Sequence, residues 1–258
     1  MRDGCVGHFS DSAGGPAQAS SAEALTAAQE AGRNELPPQR PVAAKSGIGI
    51  SPHSVDHNYG EFPAADGSAD PVDLARAQEY ALLAALLNAA PSQAFLDQLA
   101  QLRGDATPLG LLHEAIAEAA SKAGAATVER EYFGLFVGLG RGELLPYASY
   151  YLTGFLNERP LSRLRADLTT HGIERVENNC EPEDHAATLC EIMAGLADGR
   201  FPASADAQRA FFEKHVSLWM GRLFADIENA AAADFYCSVG ALGRVFLDIE
   251  AEALTLAN

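Results

Sequence analysis

The sequence predicts an all-α protein, and three observations support that fold class. Apolar residues recur at intervals of three and four along residues 70–258, which is the spacing of one face of a helix. No segment shows the strict alternation of a half-buried strand, and the chain is rich in alanine and poor in β-branched residues. Residues 70–258 are therefore predicted to form a single helical bundle of about nine helices.

Residues 1–69 differ in composition from the rest of the chain. They contain 9 of the 23 glycines and 6 of the 13 prolines, and only nine of them are Leu, Ile, Val or Phe. So few large apolar side chains cannot bury a core that offsets the loss of chain entropy. We expect a disordered or low-order N-terminal extension at residues 1–69. The folded domain then occupies residues 70–258.

Proline and capping residues mark where most of the predicted helices begin. Proline is tolerated in the first turn of a helix, and a Ser, Thr or Asp before it accepts a hydrogen bond from a free backbone N–H. A glycine-rich loop at residues 138–146 separates the fourth helix from the next. The helices are predicted to begin at Asp70-Pro71, Ser92, Thr107-Pro108, Thr127, Pro160, Pro182 and Asp206, with a last helix containing Phe235.

The chain is strongly acidic, which excludes some classes of function. It has 35 Asp and Glu against 18 Lys and Arg, a formal net charge of −17, of which −13 lies in residues 70–258. A nucleic-acid-binding protein carries a basic face, and an anionic membrane surface repels negative charge. The acidity therefore suits either a positively charged partner or solubility alone.

The cellular location is predicted from three absences in the sequence. No apolar run approaches the 18 residues of a membrane-spanning helix, the N-terminus shows no export signal, and the four cysteines form no C-x-x-C pair. We expect a cytoplasmic protein with reduced cysteines.

The most informative titratable residues lie in the segment 181–185. If Pro182 is the first helical residue, Glu183 and Asp184 fall in the first turn and cap the helix, while His185 begins its buried stripe. Adjacent helical residues point about 100° apart, so Asp184 and His185 cannot face each other as a catalytic dyad. No G-x-S-x-G motif is present either. We therefore predict no catalytic residues.

Metal and cofactor sites are poorly supported. Cys180, His185 and Cys190 match no standard zinc spacing. The glycine-rich segment 138–142 lacks the P-loop pattern and follows no predicted strand. No cofactor is predicted. Three tyrosines within residues 147–151 suit either packing with the hydroxyl in water or a peptide-binding groove.

Three short segments, taken together, resemble a known family. The segments are Glu131-Tyr132-x-x-Leu135-Phe136, Pro146-Tyr147-x-Ser149-x-Tyr151 and Glu181-Pro182-x-Asp184-His185. They resemble the signatures of the TorD-like group (TorD, DmsD and NarJ relatives), which are redox-enzyme maturation chaperones of bacterial molybdoenzymes. The resemblance covers about residues 72–252, and the extension at residues 1–69 lies outside it.

The resemblance implies a cytoplasmic chaperone, not an enzyme. Such proteins bind an apo-molybdoenzyme catalytic subunit, often through its twin-arginine leader, and hold it until the molybdenum cofactor is inserted. The implied fold is a helical bundle in two subregions joined by a hinge. Molybdenum-cofactor biosynthesis proteins are further implied partners, and the chain is expected to be a monomer or a domain-swapped dimer.

The same resemblance assigns client-binding or hinge roles to particular residues. Those of the third segment come first, and those of the other two follow as groove or core. We further hypothesise a groove with an acidic mouth at Glu181, Glu183 and Asp184, which would bind the leader's guanidinium groups. The residues assigned to client binding or to the hinge are Glu181, Pro182, Asp184, His185, Tyr132, Leu135, Phe136, Pro146 and Tyr147.

Two alternatives belong to other functional classes. The first is a helical metal-dependent hydrolase that uses His185 with nearby carboxylates. The second is a helical scaffold or regulator with an unrelated partner. The sequence does not identify the client among formate dehydrogenases, S- or N-oxide reductases and nitrate reductases.

Overall fold

A computed structural model describes residues 50–52, 70–175 and 181–256. The predicted all-α fold is confirmed, with ten α-helices in this part of the chain where about nine were predicted. A π-helical turn, Phe133–Val137, continues the fourth helix. The helices are α1 (Pro71–Asn88), α2 (Gln93–Leu99), α3 (Pro108–Lys122), α4 (Ala125–Tyr132), α5 (Ala148–Thr153), α6 (Arg159–Thr170), α7 (Ala186–Ala197), α8 (Ala205–His215), α9 (Met220–Glu228) and α10 (Phe235–Leu256).

Several helices begin at the capping residues that the sequence predicts. Asp70 accepts a hydrogen bond from the backbone N–H of Val72 at 2.9 Å, and Thr107 accepts one from Gly110 at 3.0 Å. Each bond satisfies a donor that has no partner within the helix. The first residues of these helices are predictable because each capping bond joins residues only two or three positions apart in the sequence.

The core is built around α7 and α10. All of α7 except Glu191 is buried, and this helix packs against α1. Helix α10 packs against α9 so closely that a Cβ on Gly240 would lie 2.4 Å from the backbone nitrogen of Glu228. A Cβ on Gly243 would meet the ring of Phe224 at 2.3 Å. Glycine at these positions therefore sets the distance between the two helices.

A buried ion pair joins the first and last helices. Arg76 of α1 donates from Nε and Nη2 to the carboxylate of Glu250 of α10, the shortest contact being 2.6 Å. The Glu250 side chain is 1% exposed and that of Arg76 is 14% exposed. Arg76 also pairs with Asp73 at 2.6 Å. Because the carboxylate of Glu250 is buried, its charge depends on Arg76 for its stability.

The long helix predicted from Asp206 to Asn229 is two helices. Residues 216–219 form a turn between α8 and α9, in which the backbone N–H of Ser217 donates to the carbonyl of Phe212. The indole of Trp219 is buried and donates to the carbonyl of His215 at 2.8 Å. This bond occupies a carbonyl at the end of α8. Apolar spacing does not reveal the break, because buried side chains continue through the turn.

A short two-stranded ladder was not predicted. Strand β1 (Ile50–Pro52) pairs antiparallel with β2 (Ile173–Arg175), with Ile50 opposite Arg175. Ladders of three residues are too short to show alternation. The rest of the predicted extension, residues 1–49 and 53–69, lies outside the described residues, so its order and the boundary at residue 69 stay predictions.

The described residues all fall within one compact unit. The two subregions and the hinge that the family resemblance implies therefore stay predictions. None of the described helices combines the length and the apolar character that crossing a membrane requires.

Candidate functional site

Two of the three signature segments are joined directly by backbone hydrogen bonds. Ala148 donates to the carbonyl of Asp184 at 3.0 Å, and Ala186 donates to the carbonyl of Pro146 at 2.8 Å. The two bonds form an isolated antiparallel bridge between Tyr147 and His185. Segments more than 30 residues apart in the chain thereby become one structural unit at the starts of α5 and α7.

Asp184 does not lie in the first turn of the helix that was predicted to begin at Pro182. Helix α7 begins at Ala186, not at Pro182, so Asp184 is not in its first turn. The side chain is completely buried, and its Oδ2 accepts a hydrogen bond from the backbone N–H of Ser149 at 2.8 Å. Asp184 therefore caps α5, a different helix. The bridge to residues 146–148 holds His185 in an extended conformation, with ψ at 139°, so helix α7 cannot begin before it.

His185 is the N-cap of α7. Its Nδ1 accepts a hydrogen bond from the backbone N–H of Ala187 at 3.2 Å, which places the ring proton on Nε2 in the neutral form. The ring lies edge-to-face with that of Tyr147, with 5.1 Å between centroids. Burial lowers the pKa of His185, and the charges of Glu181 and Asp184 only partly oppose this. A buried, hydrogen-bonded histidine is the role that its position predicts.

This lowered pKa predicts a pH dependence of stability. The unfolded chain binds a proton at His185 below about pH 6.5, whereas the folded protein does so only at lower pH, so the stability contributed by neutral His185 decreases as the pH falls below about 6.5. Asn at this position keeps an acceptor for Ala187 and does not titrate. We expect the difference in unfolding free energy between wild type and His185→Asn to shrink from pH 7.5 to pH 5. Urea titrations at both pH values measure it, and a difference that grows at pH 5 would contradict the assignment.

The three carboxylates of the predicted acidic mouth occupy different environments. Glu183 is largely buried and binds Arg165 at 2.8 Å and Arg175 at 3.5 Å. Asp184 is buried as a helix cap, so of the three carboxylates only Glu181 is exposed. The hydroxyl of Tyr147 donates to the Glu181 carboxylate. The acidic mouth, as hypothesised, is therefore reduced to one surface carboxylate.

The aromatic residues of the first segment lie beside Glu181. The hydroxyl of Tyr132 donates to the carbonyl of Leu87 at 3.2 Å, and its ring lies 5.1 Å from that of Phe136. Burial, assisted by the charge of Glu181, raises the pKa of Tyr132 to about 12. Tyr132, Phe136 and Tyr147 are each partly exposed. We call these three side chains with Glu181 the aromatic face.

Some of the predicted site residues belong to the interior. Leu135 is 0% exposed and Pro146 is buried. Pro182 is partly exposed, and its carbonyl accepts the backbone N–H of His185 at 3.2 Å. These residues shape the segments on which the aromatic face is built.

Sequence reasoning missed two arginines and the role of one glutamate. Arg165 and Arg175 hold Glu183, and only the fold brings them to it. The carboxylate of Glu131 accepts the backbone N–H groups of Asp234, Phe235 and Tyr236, the shortest bond being 2.7 Å. Glu131 thus caps α10 from the neighbouring helix, and its place beside Tyr132 in the first segment was the signal for its importance.

No group of three His, Cys, Asp or Glu side chains is arranged to hold a metal ion within the described residues. His185 Nδ1 is occupied by a backbone N–H, and the Cys190 sulfur lies 3.8 Å from that of Met220 in the core. Cys180 lies outside the described residues. The arrangement therefore gives no support to the metal-dependent hydrolase.

The fold and the site define a class of protein: a helical domain whose signature segments meet beneath a surface of aromatic side chains around one carboxylate. The family model described as nitrate reductase delta subunit matches residues 102–225. Chaperone protein TorD of Shewanella loihica is 27% identical over 203 residues, which covers 71% of this chain and 95% of that protein. Chaperone protein TorD of Vibrio cholerae serotype O1 (strain M66-2) is 28% identical over 133 residues, 48% of this chain. That match spans 60% of the relative's length.

These matches confirm the resemblance to the TorD-like redox-enzyme maturation chaperones that the sequence predicts. A solved structure described as a redox enzyme maturation protein from Archaeoglobus fulgidus aligns with a TM-score of 0.45 and 16% identity. The alignment covers 75% of this chain and 99% of that one.

Proposed function

We propose that this protein is a chaperone that binds an apo-molybdoenzyme catalytic subunit through its twin-arginine leader, using the aromatic face. One observation carries the proposal. Two signature segments are joined by the bridge between Tyr147 and His185, and the third lies beside them, so that Tyr132, Phe136, Tyr147 and Glu181 share one surface.

The chemistry of the aromatic face matches a twin-arginine leader. Such a leader combines guanidinium groups with an apolar stretch. Glu181 offers an exposed carboxylate, whose charge-assisted hydrogen bonds to guanidinium are strong and directional. Partly exposed aromatic rings accept apolar side chains at little entropic cost, since each has only two rotatable bonds. The hydroxyl of Tyr147 holds the carboxylate in place before a ligand arrives.

The rest of the proposed function concerns maturation. The chaperone holds its client in the cytoplasm until the molybdenum cofactor is inserted, and it meets cofactor biosynthesis proteins at that step. It acts by binding and not by catalysis. The names of the relatives as chaperones support this part of the proposal.

Leader binding can be tested by calorimetry with a synthetic peptide that carries a twin-arginine motif followed by an apolar stretch. We expect Glu181→Gln to weaken binding about tenfold, the effect of losing one charge-assisted contact of about 1.4 kcal/mol. A peptide with both arginines replaced by lysine should also bind more weakly, because lysine cannot form the bidentate contact. Glu213→Gln, at an exposed position on α8, is the matched control and should leave the affinity unchanged. Equal affinities for the Glu181 variant and the wild type would contradict the role of the carboxylate.

A further inference from the structure

Strand β2 presents a short sheet edge that the chain fills with one of its own segments. The strand β1 pairs with it in antiparallel orientation over three residues, with Ile50 opposite Arg175 and Pro52 opposite Ile173. Ile173 is buried, whereas Arg175 is exposed. Within the described residues this sheet consists of these two strands, so β1 supplies all of the strand pairing of β2 there. We call the backbone side of β2 that faces β1 the β2 edge.

The pairing at the β2 edge is of a kind that another peptide can replace. A two-stranded ladder is at best marginally stable in water without further strands, and this ladder has only three residues on each side. Pro52 has no backbone N–H, so it cannot donate to the ladder. Strand pairing uses backbone groups, which every extended peptide carries. A segment without proline can therefore pair with β2 at least as well as β1 does.

A covalent connection keeps β1 close to the β2 edge. Residues 53–69 join the strand to the N-cap of α1 at Asp70. A segment tethered within the same chain has an effective concentration on the order of millimolar, so even weak pairing fills the edge. A peptide from another protein must compete with this concentration before it can pair with β2.

The β2 edge is connected to the third signature segment. Arg175 of β2 pairs with the largely buried carboxylate of Glu183 at 3.5 Å. The same carboxylate binds Arg165 of α6 at 2.8 Å, and β2 packs against that helix. A peptide whose backbone pairs with Arg175 therefore lies beside the segment that carries Glu181 of the aromatic face.

We propose that the β2 edge is a docking site for an extended segment of the client, and that β1 occupies it as a competing strand of the same chain. This inference rests on the proposed function, in which a twin-arginine leader binds at the aromatic face. Residues next to the leader's arginines would pair with β2 through their backbone and displace β1. Client binding and β1 pairing then exclude each other, so the N-terminal extension lowers the apparent affinity for the client.

Exchange of a peptide on the full chain tests the docking site. The probe is a fluorescein-labelled peptide of residues 46–55, which carries the β1 sequence. The double variant Ile50→Pro, Ser51→Pro has three consecutive prolines and so offers β2 no backbone N–H from β1. We expect the probe to bind this variant about fivefold more tightly than the wild type, because the competing strand is lost. Fluorescence anisotropy measures both affinities.

A matched control places the same change elsewhere in the extension. The double variant Ala17→Pro, Gln18→Pro also creates three consecutive prolines, together with Pro16, and leaves β1 intact. It should bind the probe as the wild type does. Urea unfolding shows whether each variant keeps the fold, and we expect unchanged midpoints, because β1 lies outside the helices that form the core.

The twin-arginine peptide provides the second measurement. We expect it to bind the variant at Ile50 and Ser51 about fivefold more tightly than the wild type, and to release the labelled probe from that variant. Equal or absent binding of the probe to variant and wild type would overturn the docking site. Unchanged leader affinity, with the probe bound by the variant, would overturn the competition. If the leader peptide binds neither protein, the proposed function fails, while the probe still decides whether β2 accepts a strand.

Discussion

Replacing Asp184 by alanine is expected to destabilise the protein by about 2 to 3 kcal/mol. The substitution removes the acceptor for the buried backbone N–H of Ser149 and so removes the cap of α5. Loss of a buried cap leaves the donor without water or protein to bind, which is the costlier way to break a hydrogen bond. Chemical denaturation of the purified protein measures the change. Leader affinity should fall as well, because α5 begins directly after Tyr147.

Asp184→Asn is the control that separates the two roles of this residue. Asparagine keeps an oxygen for Ser149 and is nearly the same size, so we expect stability within about 1 kcal/mol of wild type. If Asp184 acts through the fold alone, this variant also keeps its affinity for the leader peptide. A variant that is stable but loses leader binding would instead show that the carboxylate contacts the client.

Replacing Arg76 by methionine should have the largest effect on stability, a loss of about 3 to 5 kcal/mol. Methionine fills the space of the arginine stem but leaves the carboxylate of Glu250, 1% exposed, without its counter-charge. The contact between α1 and α10 would then have to open to water or hold a protonated acid. Thermal and urea unfolding of Arg76→Met measure the loss.

Two further variants test that explanation. The double variant Arg76→Met, Glu250→Leu removes both charges, so it should be more stable than Arg76→Met alone. Lys122→Met breaks the exposed pair between Lys122 and Glu118, whose side chains are 70% and 68% exposed, and should change stability by less than about 0.5 kcal/mol. A double variant no more stable than the single one would mean that buried charge is not the cause.

The parts of the fold that the sequence predicts correctly are those set by near neighbours. Asp70 and Thr107 bind N–H groups two or three residues away, so their helices begin where predicted. Asp184 binds an N–H group 35 residues away, and no local pattern distinguishes this from capping its own helix. Trp219 ends a helix by a bond to His215, although the apolar spacing continues through it.

In the candidate site, too, features set by nearby residues were predicted and features set by distant residues were not. Its aromatic residues were found because short segments of sequence resemble a family. The environment of each carboxylate was not found, because it depends on partners from distant elements. Arg165 and Arg175 neutralise Glu183, and Tyr147 orients Glu181. The sequence alone therefore does not show which carboxylates are exposed, because their burial and pairing depend on the fold.

The bridge between residues 146–148 and 184–186 also affects how the protein folds and opens. It closes a long chain segment that contains α5, α6 and β2, and closing such a loop costs entropy before its contacts repay it. Helices α1 and α7 are farther apart in the chain than the two bridged segments, so their packing closes an even longer loop. The bridged segment is therefore expected to form before α1 packs on α7, and to open cooperatively as one unit. The amides of Ala148 and Ala186, which make the two bridging bonds, would then exchange with solvent at a common rate.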